Sequence, residues 1–284
     1  MILLIIHPKT ATTAIQEGID LCISVVIPSL FPFFFISALL NNLLTGMRIP
    51  GLNRLCKLLR IPEGGEALIL LGLLGGYPVG AKMIGQAYED GKLETDSAKC
   101  MLSYCNNAGP AFIFGIAGNL FPSILYPFLL WFIHILSAIL TGLILPKPTQ
   151  PKVSLNKSNS MTVTDALQNS IKVTAIVCGW IIIFKVILAY IFLGTAVQQI
   201  NWVKVLIGGF VELSNGCIQL TQMDTPFLQF ILCSCYLAFG GLCVLLQTSS
   251  VIGDLDIRPY LSGKCIQLFI SMLLAAFTAL LLFL

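Results

Sequence analysis

The sequence predicts an all-α polytopic membrane protein in which six spanning helices and two re-entrant hairpins form an inverted repeat. Of its 284 residues, 57% are hydrophobic and 10% are charged, whereas a soluble domain carries about 25% charged residues. Six apolar stretches are long enough to span a bilayer, and two more are interrupted by glycine, proline and polar residues. In water such a chain would expose large apolar patches, so we expect lipid to be its main solvent.

The six uninterrupted stretches are each close to the length of about 20 residues that crosses about 30 Å of hydrocarbon. They cover residues 21–45, 98–120, 123–145, 171–194, 226–250 and 264–284. The interrupted stretches are residues 64–90, with Gly75-Gly76-Tyr77-Pro78, and residues 202–223, with several glycine and polar positions. Proline removes a backbone donor and glycine disfavours a helix. We therefore predict that each interrupted stretch forms a hairpin that enters the membrane and leaves it on the same side.

Lysine and arginine in the loops predict the orientation of the chain. The cationic loop residues are Arg48, Arg54, Lys57 and Arg60 after the first span, Lys147, Lys152 and Lys157 in the central loop, and Arg258 and Lys264 in the last loop. Residues 195–201 carry no charge. This pattern predicts that the N-terminus lies outside, that the cationic loops face the cytoplasm, and that the second hairpin enters from outside.

A linker divides the chain near its middle. Residues 146–164 are rich in proline, lysine, serine and asparagine, which is a linker's composition. We therefore predict a first half at 1–145 and a second half at 165–284. Ala14-Ile15-Gln16 and Ala166-Leu167-Gln168 open the two halves, and the same order of elements follows each. Inverted repeats of this kind are typical of secondary transporters, although membrane helices also resemble one another by composition alone.

The first half contains two candidate sites for a ligand. Asn106 and Asn107, followed by Gly109 and Pro110, lie inside an apolar stretch; such a break is costly in lipid unless it lines a cavity or bonds within the protein. We favour a substrate-lining break over a proline kink held by asparagines. In the first interrupted stretch, Tyr77 and Lys82 flank a predicted helix start that suits an anion, although Lys82 would also suit the cytoplasmic interface.

The second half offers polar residues at the matching positions. Glu212, Ser214 and Asn215 lie in the second interrupted stretch, where an acidic group would bind a coupling cation or a substrate, or lie on the outer surface. Gln247 follows Gly240-Gly241, and helix packing explains that pattern as well as ligand contact does. Elsewhere, Lys185 requires a partner or an aqueous cavity within its helix bundle, and His134 is expected to bond between helices.

Several functions are excluded or unsupported. We find no Walker, His-Glu-x-x-His or Gly-x-Ser-x-Gly motif, so we expect no enzyme and no cofactor. The ten cysteines lack metal-ligand spacing, which predicts small core residues and no metal site. A net charge of +3 without a basic stretch argues against nucleic acid. The expected partners are lipid and a small-molecule substrate, and whether the chain forms a homo-oligomer stays open.

The motifs resemble a known family over nearly the whole chain. Pro28-Ser29-Leu30-Phe31-Pro32-Phe33, Gly76-Tyr77-Pro78-Val79-Gly80-Ala81, Cys105-Asn106-Asn107-Ala108-Gly109-Pro110 and Phe239-Gly240-Gly241 together resemble the YlbJ-type sporulation integral membrane proteins, within the nucleoside-recognition (Gate) domain group. The resemblance implies a fold similar to concentrative nucleoside transporters. It also implies a place in the cell membrane, in a sporulating cell the outer forespore membrane, and movement of dipicolinate during spore formation.

Three functions are consistent with these features. The leading hypothesis is a permease for a small anionic metabolite, with dipicolinate first. The second is a transporter for nucleosides or related small molecules. The third is a membrane scaffold for spore-envelope assembly that transports nothing.

Overall fold

The computed structural model describes residues 2–44, 49–62, 64–115, 117–146, 162–193 and 201–283, and these residues form helices and connecting turns without a β-strand. The first half contains α1 Ile2–Ile6, α2 Pro8–Leu21, a π-helical turn Cys22–Val26, α3 Ile27–Leu44, α4 Leu52–Leu59, α5 Glu66–Leu74, α6 Val79–Glu89, α7 Thr95–Leu102, α8 Pro110–Gly115, a 3₁₀ turn Ala117–Leu120 and α9 Leu125–Ile144. The second half contains α10 Val163–Ile191, α11 Asn201–Val211, α12 Leu213–Leu220, α13 Pro226–Phe239, α14 Gly241–Ser249 and α15 Arg258–Phe283.

Five helices of the described residues are long and apolar enough to cross a membrane, not six. They are Pro8–Leu40, Leu125–Ile144, Val163–Ile191, Pro226–Ser249 and Arg258–Phe283. Large apolar side chains stay on the outside of these helices, among them Ile23, Phe132 and Phe277. An exposed apolar surface on every long helix is what contact with lipid requires.

The predicted span 98–120 is wrong as a continuous helix, because residues 103–109 interrupt it between α7 and α8. The two asparagine side chains of this segment bind backbone groups. Asn106 Oδ1 accepts from Ala81 N of α6 at 3.2 Å, and Asn107 Nδ2 donates to Tyr104 O, within the segment, at 2.6 Å. Pro110 has no N–H and begins α8. Side chains that satisfy backbone groups locally allow the chain to leave the helix within the protein interior.

Three predicted boundaries also move. The helices that contain the first, fourth and last of the six predicted stretches begin at Pro8, Val163 and Arg258, which is earlier than those stretches begin. The last shift changes the role of Lys264: it is not a loop residue but lies inside α15 and is 1% exposed. Most of the predicted linker, residues 147–161, lies outside the described residues.

Apart from α1, α4 and the 3₁₀ turn of the first half, the order of elements is the same on both sides of the linker. Each half has a long helix, a pair of short adjacent helices, a broken helix and a second long helix. The short pairs are α5 with α6 and α11 with α12, and the broken helices are α7 with α8 and α13 with α14. In the second half, Gly240 and Gly241 both adopt a positive φ at the break, with φ of 81° and 80°, a conformation that favours glycine.

Corresponding long helices of the two halves pack antiparallel. Along α2 and α10, contacts join early residues of one helix to late residues of the other: Cys22 with Cys178, Glu17 with Lys185, and His7 with Tyr190. Helices α9 and α15 behave in the same way, through His134 with Gln267 and Tyr126 with Phe283. The two halves therefore meet along both pairs of long helices.

The extended segment between α7 and α8 is held by very close backbone packing. A methyl group placed on Gly80 would lie 1.9 Å from the carbonyl oxygen of Cys105, and one on Gly72 would lie 2.5 Å from the same atom. No side chain fits in that space, so α5 and α6 approach the segment only because glycine stands at both positions. This contact sets the distance between the first short-helix pair and the broken helix.

Candidate functional site

A cavity lies where the breaks of the two halves meet. It is small, with a volume of about 30 Å³. We refer to it as the central cavity; its lining residues are Val26, Leu30, Gly76, Tyr77, Ala108, Gly109, Phe112, Val177, Ile181, Glu212, Leu213, Ser214, Val244 and Gln247. Most of the wall is apolar, and a few polar groups converge on it, which is the usual constitution of a small-molecule site.

Four short helices begin at this cavity. Gly76 and Tyr77 precede α6, Gly109 precedes α8, and Glu212 precedes α12. The fourth helix, α14, lines the cavity with its first two turns. Helix beginnings carry a partial positive charge, which favours acceptor atoms. At α12 the Glu212 carboxylate already accepts from Ser214 N and Asn215 N, and at α6 Asn106 Oδ1 accepts from Ala81 N.

Half of the predicted site residues line the central cavity. They are Tyr77, Gly109, Glu212, Ser214 and Gln247. They come from both halves of the chain and are brought together by the first short-helix pair, the second short-helix pair and the two breaks. The structure thus assembles the location that the sequence suggested, although contact of these residues with a substrate stays a prediction.

Asn106 and Asn107 do not line the cavity. Both are completely buried behind its wall, where Asn106 Nδ2 donates to Thr248 Oγ1 at 2.9 Å and Asn107 Nδ2 donates to Gly72 O at 3.2 Å. These bonds join separate helices, as the alternative interpretation of the two asparagines expected. A direct role in binding substrate would require a rearrangement that exposes them.

Pro110 and Asn215 also lie beside the lining rather than in it. Pro110 is half-buried at the start of α8. Asn215 is buried, and its backbone N–H donates to Glu212 Oε2 at 2.6 Å. Each therefore shapes the backbone that the lining residues stand on.

Lys82 lines a second cavity, next to the central one. This outer cavity is bounded by Phe34, Ser37, Ala38, Val79, Lys82, Met83, Gln86, Asn169, Ser170 and Val173. The Lys82 ammonium donates to Asn169 Oδ1, and no carboxylate of the described residues forms an ion pair with it. The predicted cation is thus present near the site but separated from Tyr77 by one turn of α6.

Glu212 caps α12 from inside the protein. It is 2% exposed, and its two carboxylate oxygens accept from Ser214 N at 2.9 Å and from Asn215 N at 2.6 Å. The alternative of a glutamate on the outer surface is therefore wrong, because a helix that begins in the interior needs an acceptor for its first N–H groups. The same carboxylate lines the central cavity.

Lys264 and Gln267 were not predicted as site residues. Lys264 Nζ donates to Tyr77 Oη at 3.2 Å, to Asn107 Oδ1 at 3.2 Å and to Gln267 Oε1 at 2.8 Å. Gln267 in turn donates to Asn107 Oδ1 at 3.0 Å. The available signal was the spacing Lys264-Cys-Ile-Gln267, which places two polar side chains on one face of an otherwise apolar helix.

Two further predictions concern basic residues inside the long helices. The His134 side chain bonds to the break and not to a second helix, since its Nε2 accepts from Ala108 N at 3.0 Å, in the segment between α7 and α8. Lys185 has a partner that the sequence did not identify: its ammonium lies 3.6 Å from the Glu17 carboxylate, across the α2–α10 contact.

The described residues offer no metal centre. Their histidine, cysteine, aspartate and glutamate side chains form no cluster of three that could hold an ion. In the connection between α6 and α7, Asp90 forms an ion pair of 2.7 Å with Lys92, and the hydrogen bond from Lys92 lowers the pKa of Asp90. Acidic residues around this connection are exposed, as expected for a solvated loop.

The fold and the cavity define the chain as a multi-pass α-helical membrane protein with a mostly apolar internal cavity that a few polar groups line. A curated relative makes the class more specific: the chain is 26% identical over 313 aligned positions, covering 92% of this chain and 76% of the relative, to the sporulation integral membrane protein YlbJ of Bacillus subtilis (strain 168). This similarity confirms the resemblance to the YlbJ-type sporulation integral membrane proteins. No protein-family model and no solved structure matches the chain.

Proposed function

We propose that the protein is a permease that moves a small anionic metabolite across the membrane, with dipicolinate as the first candidate. The observation that carries this proposal is the central cavity, which lies at the breaks of both halves and is lined by residues of both. Sites of secondary transporters form at such repeat interfaces, where interrupted helices supply their ends to the ligand. The similarity to a sporulation protein supports dipicolinate as the ligand to test first.

We also infer that the two halves are an inverted repeat and that the short-helix pairs are re-entrant hairpins. Equal element order and antiparallel packing of α2 with α10 and of α9 with α15 support this arrangement. Helices α5, α6, α11 and α12 have 8 to 11 residues each, which is about half of what a span needs. A pair of such helices enters the bilayer and returns to the same side.

A route to the central cavity runs through the outer cavity. On α3, Leu30 lines the central cavity and Phe34, one turn later, lines the outer one. On α10, Val177 and Val173 divide in the same way. Lys82 stands on the outer side of this apolar boundary, where its positive charge would attract an anion.

The central cavity is closed to a metabolite in this conformation. Its volume is about 30 Å³, compared with about 160 Å³ for the outer cavity. A bound metabolite therefore requires movement of the wall between the two cavities. Alternate opening of two sides around one site is how a permease works, and small closed cavities are expected in one of its states.

Transport is tested in proteoliposomes containing the purified protein, with dipicolinate uptake measured by the fluorescence of its terbium complex. We expect uptake by the wild type and reduced uptake by Lys82→Met and Gln247→Leu, with Lys92→Met as a control in the solvated loop. In a sporulating host lacking the gene, dipicolinate should accumulate in the mother cell. Normal dipicolinate content in the spores, together with no uptake by folded protein, would refute this substrate.

The polar residues of the cavity favour a second candidate, a nucleoside or a similar neutral compound. Glu212, Ser214 and Gln247 offer acceptors and donors, and no lysine or arginine lines the central cavity. Thermal stabilisation of the purified protein by uridine or adenosine, with no response to dipicolinate, would favour this alternative.

A further inference from the structure

The ammonium group of Lys264 is buried beside the central cavity without a carboxylate partner among the described residues. Its nearest polar contact on the cavity side is Tyr77, whose ring lines that cavity. A buried charge is costly unless other groups compensate it. The surroundings of Lys264 therefore decide whether it carries its charge.

All three contacts of Lys264 Nζ are hydrogen-bond acceptors whose orientation other bonds determine. Tyr77 Oη donates its own proton to Leu237 O at 3.1 Å, so towards Lys264 the hydroxyl only accepts. Asn107 Nδ2 donates to the backbone oxygens of Tyr104 and Gly72, which leaves Oδ1 facing Lys264.

The third contact, Gln267 Oε1, is oriented in the same manner. Gln267 Nε2 donates to Asn107 Oδ1 at 3.0 Å and to the backbone oxygen of His134 at 3.4 Å. A turned amide would place its one oxygen against these two acceptor oxygens. The oxygen of Gln267 must therefore face Lys264, at 2.8 Å.

Three acceptors require three donors, and only the charged form of lysine has them. A neutral amine has two N–H groups and a lone pair, which would oppose one of the three oxygens. Two aromatic rings also favour the cation: Lys264 Nζ lies 5.1 Å from the ring centre of Tyr77 and 5.6 Å from that of Tyr260, within the range of cation–π attraction. The site is thus constructed for an ammonium.

We propose that Lys264 is held as a permanent ammonium and that this charge offsets the Glu212 carboxylate in the wall and shifts the preference of the central cavity towards anionic ligands. The preference for a ligand rests on the proposed function, whereas the charge of Lys264 does not. Lys264 acts through Tyr77 and through its electric field, and it is therefore a positioning residue that sets the sign of the ligand rather than a group in contact with it.

The charge is tested by ¹⁵N NMR of the wild type labelled at lysine Nζ, with the Lys264 signal assigned by its loss in Lys264→Met or Lys264→Gln. We expect the signal of an ammonium at neutral pH, and the signal of a neutral amine would overturn the proposal. This measurement needs no ligand, so it decides the charge even if dipicolinate does not bind.

The preference is tested with dipicolinate and its neutral analogue of the same shape, pyridine-2,6-dicarboxamide. We expect the wild type to bind the dianion more tightly and Lys264→Met to lower the ratio of the two affinities at least about tenfold, because a nearby charge in the interior is weakly screened. Lys92→Met, in the solvated loop, should leave the ratio unchanged. A folded Lys264→Met protein with the wild-type ratio would overturn the proposal, while absence of binding by either probe would instead remove dipicolinate as the substrate.

Discussion

Asn106 Nδ2 donates a hydrogen bond of 2.9 Å to Thr248 Oγ1, and both residues are completely buried. Asn106 lies in the break between α7 and α8, and Thr248 lies in α14, beyond the break of the second half. The other end of the Asn106 amide accepts from Ala81 N in α6. One side chain therefore joins the first short-helix pair and the broken helices of both halves behind the central cavity.

We expect Asn106→Ala to destabilise the protein strongly, because it leaves Ala81 N and Thr248 Oγ1 buried without a partner. Each such group costs about 1–3 kcal/mol. Unfolding by titration with a denaturing detergent measures the change. Thr248→Val is the matched variant, and the double variant should cost about 0.5–3 kcal/mol less than the sum of the single changes. Additive effects would show that the two residues do not depend on each other.

Gly80→Ala should prevent correct folding or cost at least about 3 kcal/mol, since the new methyl group would lie 1.9 Å from the Cys105 carbonyl oxygen. The yield of monodisperse protein and its melting temperature are the measurements. Gly179→Ala is the control: this helical glycine has nothing within 4 Å of an added methyl group. There we expect no loss and a gain of up to about 1 kcal/mol. Equal behaviour of both variants would contradict the close packing of α6 on the extended segment.

Glu212→Gln should lower stability by about 1–2 kcal/mol, because the amide nitrogen cannot accept from one of the two N–H groups at the start of α12. The free energy of unfolding in detergent reports the loss. Asp165→Asn provides a comparison, since Asp165 belongs to a capping box at the start of α10 but is exposed. Water replaces a lost bond there, so we expect a smaller effect. A larger effect at Asp165 would mean that burial does not govern the cost of these caps.

Reporter fusions test the orientation of the chain. We expect a fusion after Leu145 to report the cytoplasm and fusions after Leu193 and Gln222 to report the outside, because α10 crosses the membrane and α11–α12 return to the side from which they enter. Fusions within α9 and α10 serve as controls for insertion. Opposite sides for Leu193 and Gln222 would refute the second re-entrant hairpin, and the same side for Leu145 and Leu193 would refute the crossing of α10.

Much of the fold follows from local patterns. Apolar length identified the long helices, because hydrocarbon demands a fixed number of apolar residues. Glycine, proline and paired polar residues identified the interruptions near Tyr77 and Glu212, because these residues alter backbone bonding wherever they occur. The prediction of a continuous span at 98–120 was wrong for a related reason. The high average hydropathy of this stretch concealed a seven-residue break at 103–109, whose stability depends on partners far along the chain.

Composition and local patterns are enough to predict that this protein lies in a lipid bilayer, where its helices are interrupted and which polar residues lie at the interruptions. Which of these residues share a cavity depends on long-range packing: Tyr77, Glu212 and Gln247 line the central cavity, Asn106 and Asn107 support its wall, and Lys82 lies outside it. The tertiary structure also shows that Lys264, predicted in a loop, lies at the centre of a buried hydrogen-bond network. The reason is physical: helix propensity and hydropathy depend on neighbours in sequence, whereas burial and hydrogen-bond partners depend on antiparallel packing between residues more than 100 positions apart.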